Sequence, residues 1–224
     1  MAKRSKRYVE AAKLVENKAY SIADAAALLK KIGKPTESIE FVARLGIDPK
    51  KGDQQVRGTI VLPNGSGKTK KIVAFVEGAD VAIAKEAGAD MVGSEELIAE
   101  IVKSEKLGFD LAVATPSMMP KLAKLARILG PKGLMPNPKT DTVSANVKKM
   151  IEELKRGKVT FKNDDTGNVH ILVGKVGLDS AKLIENITAT TEAIKRAKPS
   201  SSKGVFLMTT IVKSTFGPAI KIAA

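Results

Sequence analysis

The hydrophobic periodicity of this chain changes twice, and that change limits the folds open to it. Residues 38–48, SIEFVARLGID, alternate strictly. Ile39, Phe41, Ala43, Leu45 and Ile47 fall on one side; Ser38, Glu40, Val42, Arg44 and Gly46 fall on the other. Such a strand has one buried and one solvent face, the habit of an antiparallel sheet covered on one side. A second strand, RGTIVLP, runs to Pro63. From about residue 66 the apolar runs are unbroken: KIVAFV, DMVG and FDLAVAT. Between and after them lie the helix-like segments ADVAIAKEAGA, SEELIAEIVKSEKL (opened by Ser94) and PKLAKLARIL. Buried strands alternating with helices predict a parallel or mostly parallel sheet covered by helices. The loop GPKGLMPNPKTDTV and a helix around SANVKKMIEELKRG follow, and then the one-sided style returns.

In this last part VTFKN and NVHILVG flank Asp164-Asp165-Thr166-Gly167, which predicts a hairpin. Asp179 caps an amphipathic helix bearing Leu183, Ile184, Ile187 and Ile194, and VFLMTTIVKSTF is the last strand. At the other end, Tyr8, Ala11, Ala12 and Val15 have helical spacing. Ser21 and Asp24 form a capping-box-like start for a helix carrying Leu28, Leu29 and Ile32, which Gly33 can end in a left-handed conformation. The two ends therefore share a style that the middle lacks. The reading is an α/β (α+β) chain of two domains. Residues 1–65 and 159–224 form a discontinuous helix-plus-antiparallel-sheet domain, with residues 66–158 inserted as a Rossmann-like α/β domain. Gly65, Ser66, Gly67 and Gly157 mark the two crossings, and glycine suits a hinge.

Lys plus Arg number 38 against 24 Asp plus Glu, a net charge of +14. Small soluble domains carry roughly 2–8, so the excess points to a polyanionic partner, nucleic acid before an acidic membrane surface. The terminal segments hold 22 basic and 12 acidic side chains, net +10, against +4 for the middle. The polyanion should meet the terminal domain. There are no cysteines, which excludes disulfides, thiolate metal sites and a Cys nucleophile. The basic start lacks a following apolar run, and no stretch approaches the ~20 residues of a membrane span. A cytoplasmic protein is expected.

Residues 65–69, GSGKT, mimic the end of a phosphate-binding loop, but Leu62 stands where the first glycine is required and strand, not helix, follows. The segment reads as a flexible linker. His170 is the only histidine, too few for a metal site or a triad, and is expected to pack or hydrogen-bond on a strand. Met118, Met119 and Met135 are expected as core or interface fillers. No catalytic set, metal or cofactor is expected. Aromatics are 4% with no Trp, a poor supply for stacking single-stranded bases. Hydroxyls, lysines and glycines suit the ribose and phosphate surface of a folded RNA instead. In the last strand Thr209, Ile211, Lys213 and Thr215 share a face, and Gly217 admits another backbone. That face fits either an RNA contact or an edge strand dressed with polar groups against aggregation.

The stretches SKRYVEAAKLV, LGIDPKKGDQQVRGTIVLPNGSGK, EAGADMVG, ATPSMMPKLAKLARILGPKGLMPNPK, FKNDDTGNVHILVGK and STFGP, taken together, resemble the L-one family of large ribosomal subunit proteins, bacterial type, over essentially the whole chain. The resemblance implies a two-domain protein bound to large-subunit ribosomal RNA. Such proteins form the mobile stalk at the tRNA exit site, where stalk movement accompanies release of deacylated tRNA, and bacterial members also repress their own operon mRNA. Its implied RNA contacts fall on Lys34, Ser38 and Glu40, on Thr166 and Gly167, and on Thr209, Lys213, Thr215 and Gly217. Three positions depart from the family: Pro35 for a common Phe, Asp165 for a frequent basic residue, and Phe216 for Met. Phe216 can still pack on a ribose. The expected molecule is thus a non-enzymatic part of the ribosome, monomeric when free. Its partners are ribosomal RNA, exit-site tRNA and its own messenger. A nucleotide-binding enzyme and a generic DNA binder are the competing classes; neither has a matching motif.

Overall fold

The computed structural model describes residues 4–78, 80–104 and 107–223. The extreme basic start (Met1–Lys3), Ala79 of one expected helix and Glu105-Lys106 of the next lie outside these residues. In chain order the elements are α1 (Lys6–Lys13), α2 (Ile22–Ile32), β1 (Ser38–Leu45), β2 (Arg57–Val61), β3 (Ile72–Phe75) and α3 (Asp80–Glu86). Then come β4 (Met91–Gly93), α4 (Glu95–Ser104), β5 (Leu111–Ala114), α5 (Met119–Leu122), α6 (Ala126–Leu129) and α7 (Val147–Lys155). The chain closes with β6 (Lys158–Lys162), β7 (Asn168–Lys175), α8 (Ser180–Arg196), β8 (Leu207–Ser214) and β9 (Ile220–Ile222). They divide into two compact units, one from both chain ends (up to Lys68 and from Gly157) and one from Thr69–Arg156.

The unit from the chain ends is built on a four-stranded sheet ordered β7-β1-β8-β9, all neighbours antiparallel. Strand β1 alternates as its sequence requires: Ile39, Phe41 and Ala43 are fully buried, while Ser38, Glu40, Val42 and Arg44 lie on the other face. Helices α2 and α8 pack together and cover the buried face through Leu29, Leu183 and Ile187. Both helices start as their sequences indicate. The Ser21 side chain accepts from the Asp24 amide, and that of Asp179 from the Ser180 amide. A separate two-stranded sheet, β2-β6, joins the same core through Ile60, Val159 and Phe161.

The other unit holds a parallel sheet ordered β4-β3-β5. The central strand β3 is buried at all four residues. One side of this sheet packs on Ile98, Met118, Leu122, Leu125 and Leu129, the other on Ala84, Val147, Met150, Ile151 and Leu154. Met118 is a fully buried core residue, and Met119 and Met135 pack on the same cluster.

Five local expectations need correction. Gly33 does not cap α2 in the left-handed region; its φ is −86°. A Cβ there would stand 2.7 Å from a Val176 methyl, so the glycine serves close packing. The expected hairpin between β6 and β7 reduces to its turn and one bridge, Asn163 with Val169. Above that bridge β6 turns to β2, because Asn163 Oδ1 accepts the Val56 amide at 2.9 Å and its own amide bonds Val56 O at 3.0 Å. The helix expected at PKLAKLARIL is broken by a 3-10 turn at Ala123–Leu125 between α5 and α6. Leu122, Leu125 and Leu129 keep the i, i+3, i+7 spacing of a helix face and still share one core. Strand β9 was not foreseen. With β9 outside it, β8 is interior over Thr210–Val212, and an edge there needs no defence; Thr209, Lys213 and Thr215 lie beyond that pairing.

Asn186 ties the first chain crossing to the body of its unit. The side chain is fully buried on α8. Its Oδ1 accepts from the Asn64 amide at 3.1 Å, and its Nδ2 donates to Gly65 O at 3.0 Å and Val173 O at 2.8 Å. Asn186→Ala strands one buried backbone group, Val173 O, and two half-buried ones, Asn64 N and Gly65 O. It is expected to lower stability by about 2–4 kcal/mol, read as a lower urea midpoint for that unit's transition at unchanged slope.

Candidate nucleic-acid interface

Three loops meet at one end of the four-stranded sheet, and the backbone locks them together. Residues 33–37 precede β1, residues 176–179 follow β7, and residues 215–219 join β8 to β9. The Val176 amide bonds Glu37 O at 2.9 Å, the Gly177 amide bonds Pro35 O at 3.1 Å, and the Thr215 amide bonds Ser38 O at 3.0 Å. The Thr215 hydroxyl donates to the same Ser38 carbonyl at 3.2 Å. It therefore keeps its acceptor lone pairs for an outside donor. Lys34, Pro35, Thr36, Thr215 and Phe216 are exposed here, Phe216 at 70%. Gly217 packs its Cα face on the Ser214 hydroxyl and an Ile32 methyl, so its missing side chain already serves the protein's own packing.

The solvent face of the sheet runs back from this end. Glu40 stands between Leu172 of β7 and Lys213 of β8; Val42 lies between His170 and Ile211, and Arg44 between Asn168 and Thr209. Lys213 Nζ pairs with Glu40 Oε2 at 3.1 Å, each side chain about one third exposed. The expected contacts thus split. Lys34, Ser38, Glu40, Lys213, Thr215, Phe216 and Gly217 gather at the loop end. Thr166, Gly167 and Thr209 lie at the opposite end, about 20 Å away at some 3.3 Å per strand residue. His170 stands on the open face between the two groups, with its side chain 57% exposed. The candidate set omitted Arg44 and His170 of the open face, although the outward alternation of β1 already pointed to Arg44.

The turn at residues 164–167 has an internal task. Gly167 adopts φ +80° and is buried; its carbonyl accepts from Leu45 and its amide donates to Asp164 O. The Thr166 hydroxyl donates to the Asp164 carboxylate at 2.9 Å and accepts from Asn168 Nδ2 at 2.7 Å. Desolvation pushes the Asp164 carboxyl up. The Asn168 amide and the Thr166 hydroxyl and amide outweigh it and hold the group at about 2. His170 Nε2 lies 3.8 Å from the same carboxylate.

Two of the hinge candidates, Gly65 and Ser66, are held in place within their unit. Gly157 has φ +107°, and a Cβ on it would fall 2.7 Å from the Gly65 Cα. Gly65 is held by Asn186 and Ser66 is buried. The segment after GSGKT enters strand β3 rather than a helix, as a linker would. Among the described residues no cluster of His, Cys, Asp and Glu could hold a metal, and no helix is long and apolar enough to cross a membrane.

The Asp164 turn sets a pH test. A carboxyl depressed from its ordinary 3.8 to about 2 adds stability that is fully present above pH 4 and is lost as pH falls through 2. Asp164→Ala is expected to cost about 1 kcal/mol at pH 7, since the group is partly solvated. Its deficit relative to wild type should shrink between pH 4 and 2 in acid-titrated urea melts.

The sequence profile of the family described as "Ribosomal protein L1p/L10e family" matches residues 24–218, across both units. The chain is also similar to the "Large ribosomal subunit protein uL1" of Persephonella marina (strain DSM 14350 / EX-H1). Identity is 47% over 228 aligned positions, covering 99% of this chain and 94% of that protein. A mixed α/β architecture of two units and a match of this extent lead to one assignment: the chain belongs to the ribosomal protein L1p/L10e family.

Proposed function

We propose that this protein is a structural constituent of the large ribosomal subunit in the cytoplasm, and that it binds large-subunit ribosomal RNA through the loop end of its four-stranded sheet. The observation that supports the reading most is the convergence there of Lys34, Ser38, Glu40, Lys213, Thr215, Phe216 and Gly217. Hydroxyls and the Glu40 carboxylate can meet 2′-hydroxyls, lysines can meet phosphates, and Phe216 offers one exposed apolar contact to a sugar. No reaction is assigned to the chain; its role is to hold RNA.

The finer part of the reading concerns the unit at Thr69–Arg156. As the moving arm of a stalk at the tRNA exit site, it would accompany release of deacylated tRNA. Because Asn186 fixes Gly65, the pivot would fall at Gly67 to Lys71 on one crossing and at Arg156-Gly157 on the other. The same loop end would bind a similar fold in the protein's own operon mRNA and repress its translation. The free protein would be a monomer.

Thr215→Ala tests the interface. It is expected to weaken binding to deproteinised large-subunit ribosomal RNA about tenfold, the worth of one good polar contact, with an unchanged melting temperature. Wild-type binding should fall roughly 10³–10⁵-fold between 50 and 200 mM salt if 6–10 phosphates are contacted. Filter binding reads both. Equal affinity of wild type and variant would remove Thr215 from the interface, and equal wild-type affinity for duplex DNA of random sequence would favour a non-specific binder.

A further inference from the structure

Directly beneath the loop end lies a charged group that the RNA contacts do not use. Glu37 is 7% exposed and Ser214 is fully buried. Arg7 of α1 binds Glu37 Oε1, and its second terminal nitrogen donates to Ile32 O at 3.0 Å. Glu37 Oε2 and Ser214 Oγ have no well-formed hydrogen bond to any protein atom. Glu37 and Ser214 are the chain neighbours of Ser38 and Thr215, whose backbone hydrogen bond at 3.0 Å brings the two buried side chains side by side. Arg7 above all holds the Glu37 carboxyl below the usual range against desolvation. Ser214 is also the residue on which Gly217 packs, and its carbonyl accepts the Gly217 amide at 3.1 Å. A buried carboxylate, a buried hydroxyl and a tight glycine are stacked in that order under Thr215 and Phe216.

Resting on the RNA-binding reading above, we propose that Glu37 is a positioning residue for RNA. It holds Ser214, and through Ser214 the turn Thr215–Gly217, in the shape that meets the ligand. Arg7 of α1 is paired with this carboxylate, so the docking of α1 and the affinity for RNA are coupled.

The test measures affinities of Glu37→Gln, Ser214→Ala and Glu37→Gln with Thr215→Ala for deproteinised large-subunit ribosomal RNA and for random duplex DNA, beside melting temperatures. Glu37→Gln is expected to weaken RNA binding about tenfold, the worth of one polar contact to RNA lost when the turn shifts. Adding Thr215→Ala should cost little more, because the turn is already displaced. Simple electrostatics predicts the opposite sign, since removing a negative charge tightens binding to any polyanion. A purely structural role would lower the melting temperature and leave the affinity of folded protein unchanged. Unchanged or tighter RNA binding, additive losses, or equal losses on RNA and DNA would each overturn the proposal. Should Glu37→Gln fail to fold, Ser214→Ala alone decides, with the same expected weakening and the same overturning results. Wild type that does not bind ribosomal RNA would instead overturn the interface itself.

Discussion

Strand β1 depends on pairing with chain that lies far away in sequence. It is flanked on one side by residues 168–175 and on the other by residues 207–214. No nearby segment can satisfy its backbone, so this unit forms only when the chain ends meet. An insert between the ends is tolerable because closure entropy grows slowly, by about 0.6 kcal/mol for each doubling of loop length. The fully buried row Ile39, Phe41 and Ala43 then fixes the register, since a slip of one residue would turn that row to water. With the register fixed, the outward row and the loops at the strand ends have fixed places too. The candidate interface follows from that core rather than from any local motif.

The chemistry at the loop end fits recognition of a shape. It offers hydroxyls, one carboxylate, lysines and a single exposed aromatic ring, Phe216. Stacking platforms for unpaired bases are missing from that inventory, while acceptors and donors for ribose are present. Thr215 illustrates the arrangement. Its amide and hydroxyl proton both go to Ser38 O, which fixes the side chain and leaves its lone pairs outward.

Much of this was legible in the residues, and the failures share a cause. Strict alternation at residues 38–45 gave the correct buried set, unbroken apolar runs gave β3 and β5, and Ser21 and Asp179 marked two helix starts. These are local signals of which side chains go inside. Periodicity does not say which edge a strand pairs. So the departure of β6 to β2 through Asn163 went unseen, as did the interior place of β8 and the three-residue β9. The same limit applied to the site. An eight-residue strand has two ends about 20 Å apart. Nothing in the spacing revealed that Thr166 and Gly167 sit at the end opposite Ser38, with their polar groups taken up by Asp164 and Leu45.

The net charge of +14 and the loop end do different work. Near the loops the cations largely have partners: Lys213 pairs with Glu40, Arg7 with Glu37, and Lys30 lies 3.9 Å from Asp179. Of the lysines in the proposed set only Lys34 lacks an ion pair among the described residues. A site meant to grip phosphate by charge alone would not set carboxylates beside its own lysines and bury another beneath them. The surplus charge elsewhere on the chain can draw in a polyanion at long range, where sequence and shape do not matter. On the proposed reading, discrimination falls to the neutralised, hydrogen-bonded end, where a misplaced partner would leave Glu40 or Thr215 without its match and lose more than Coulomb attraction returns.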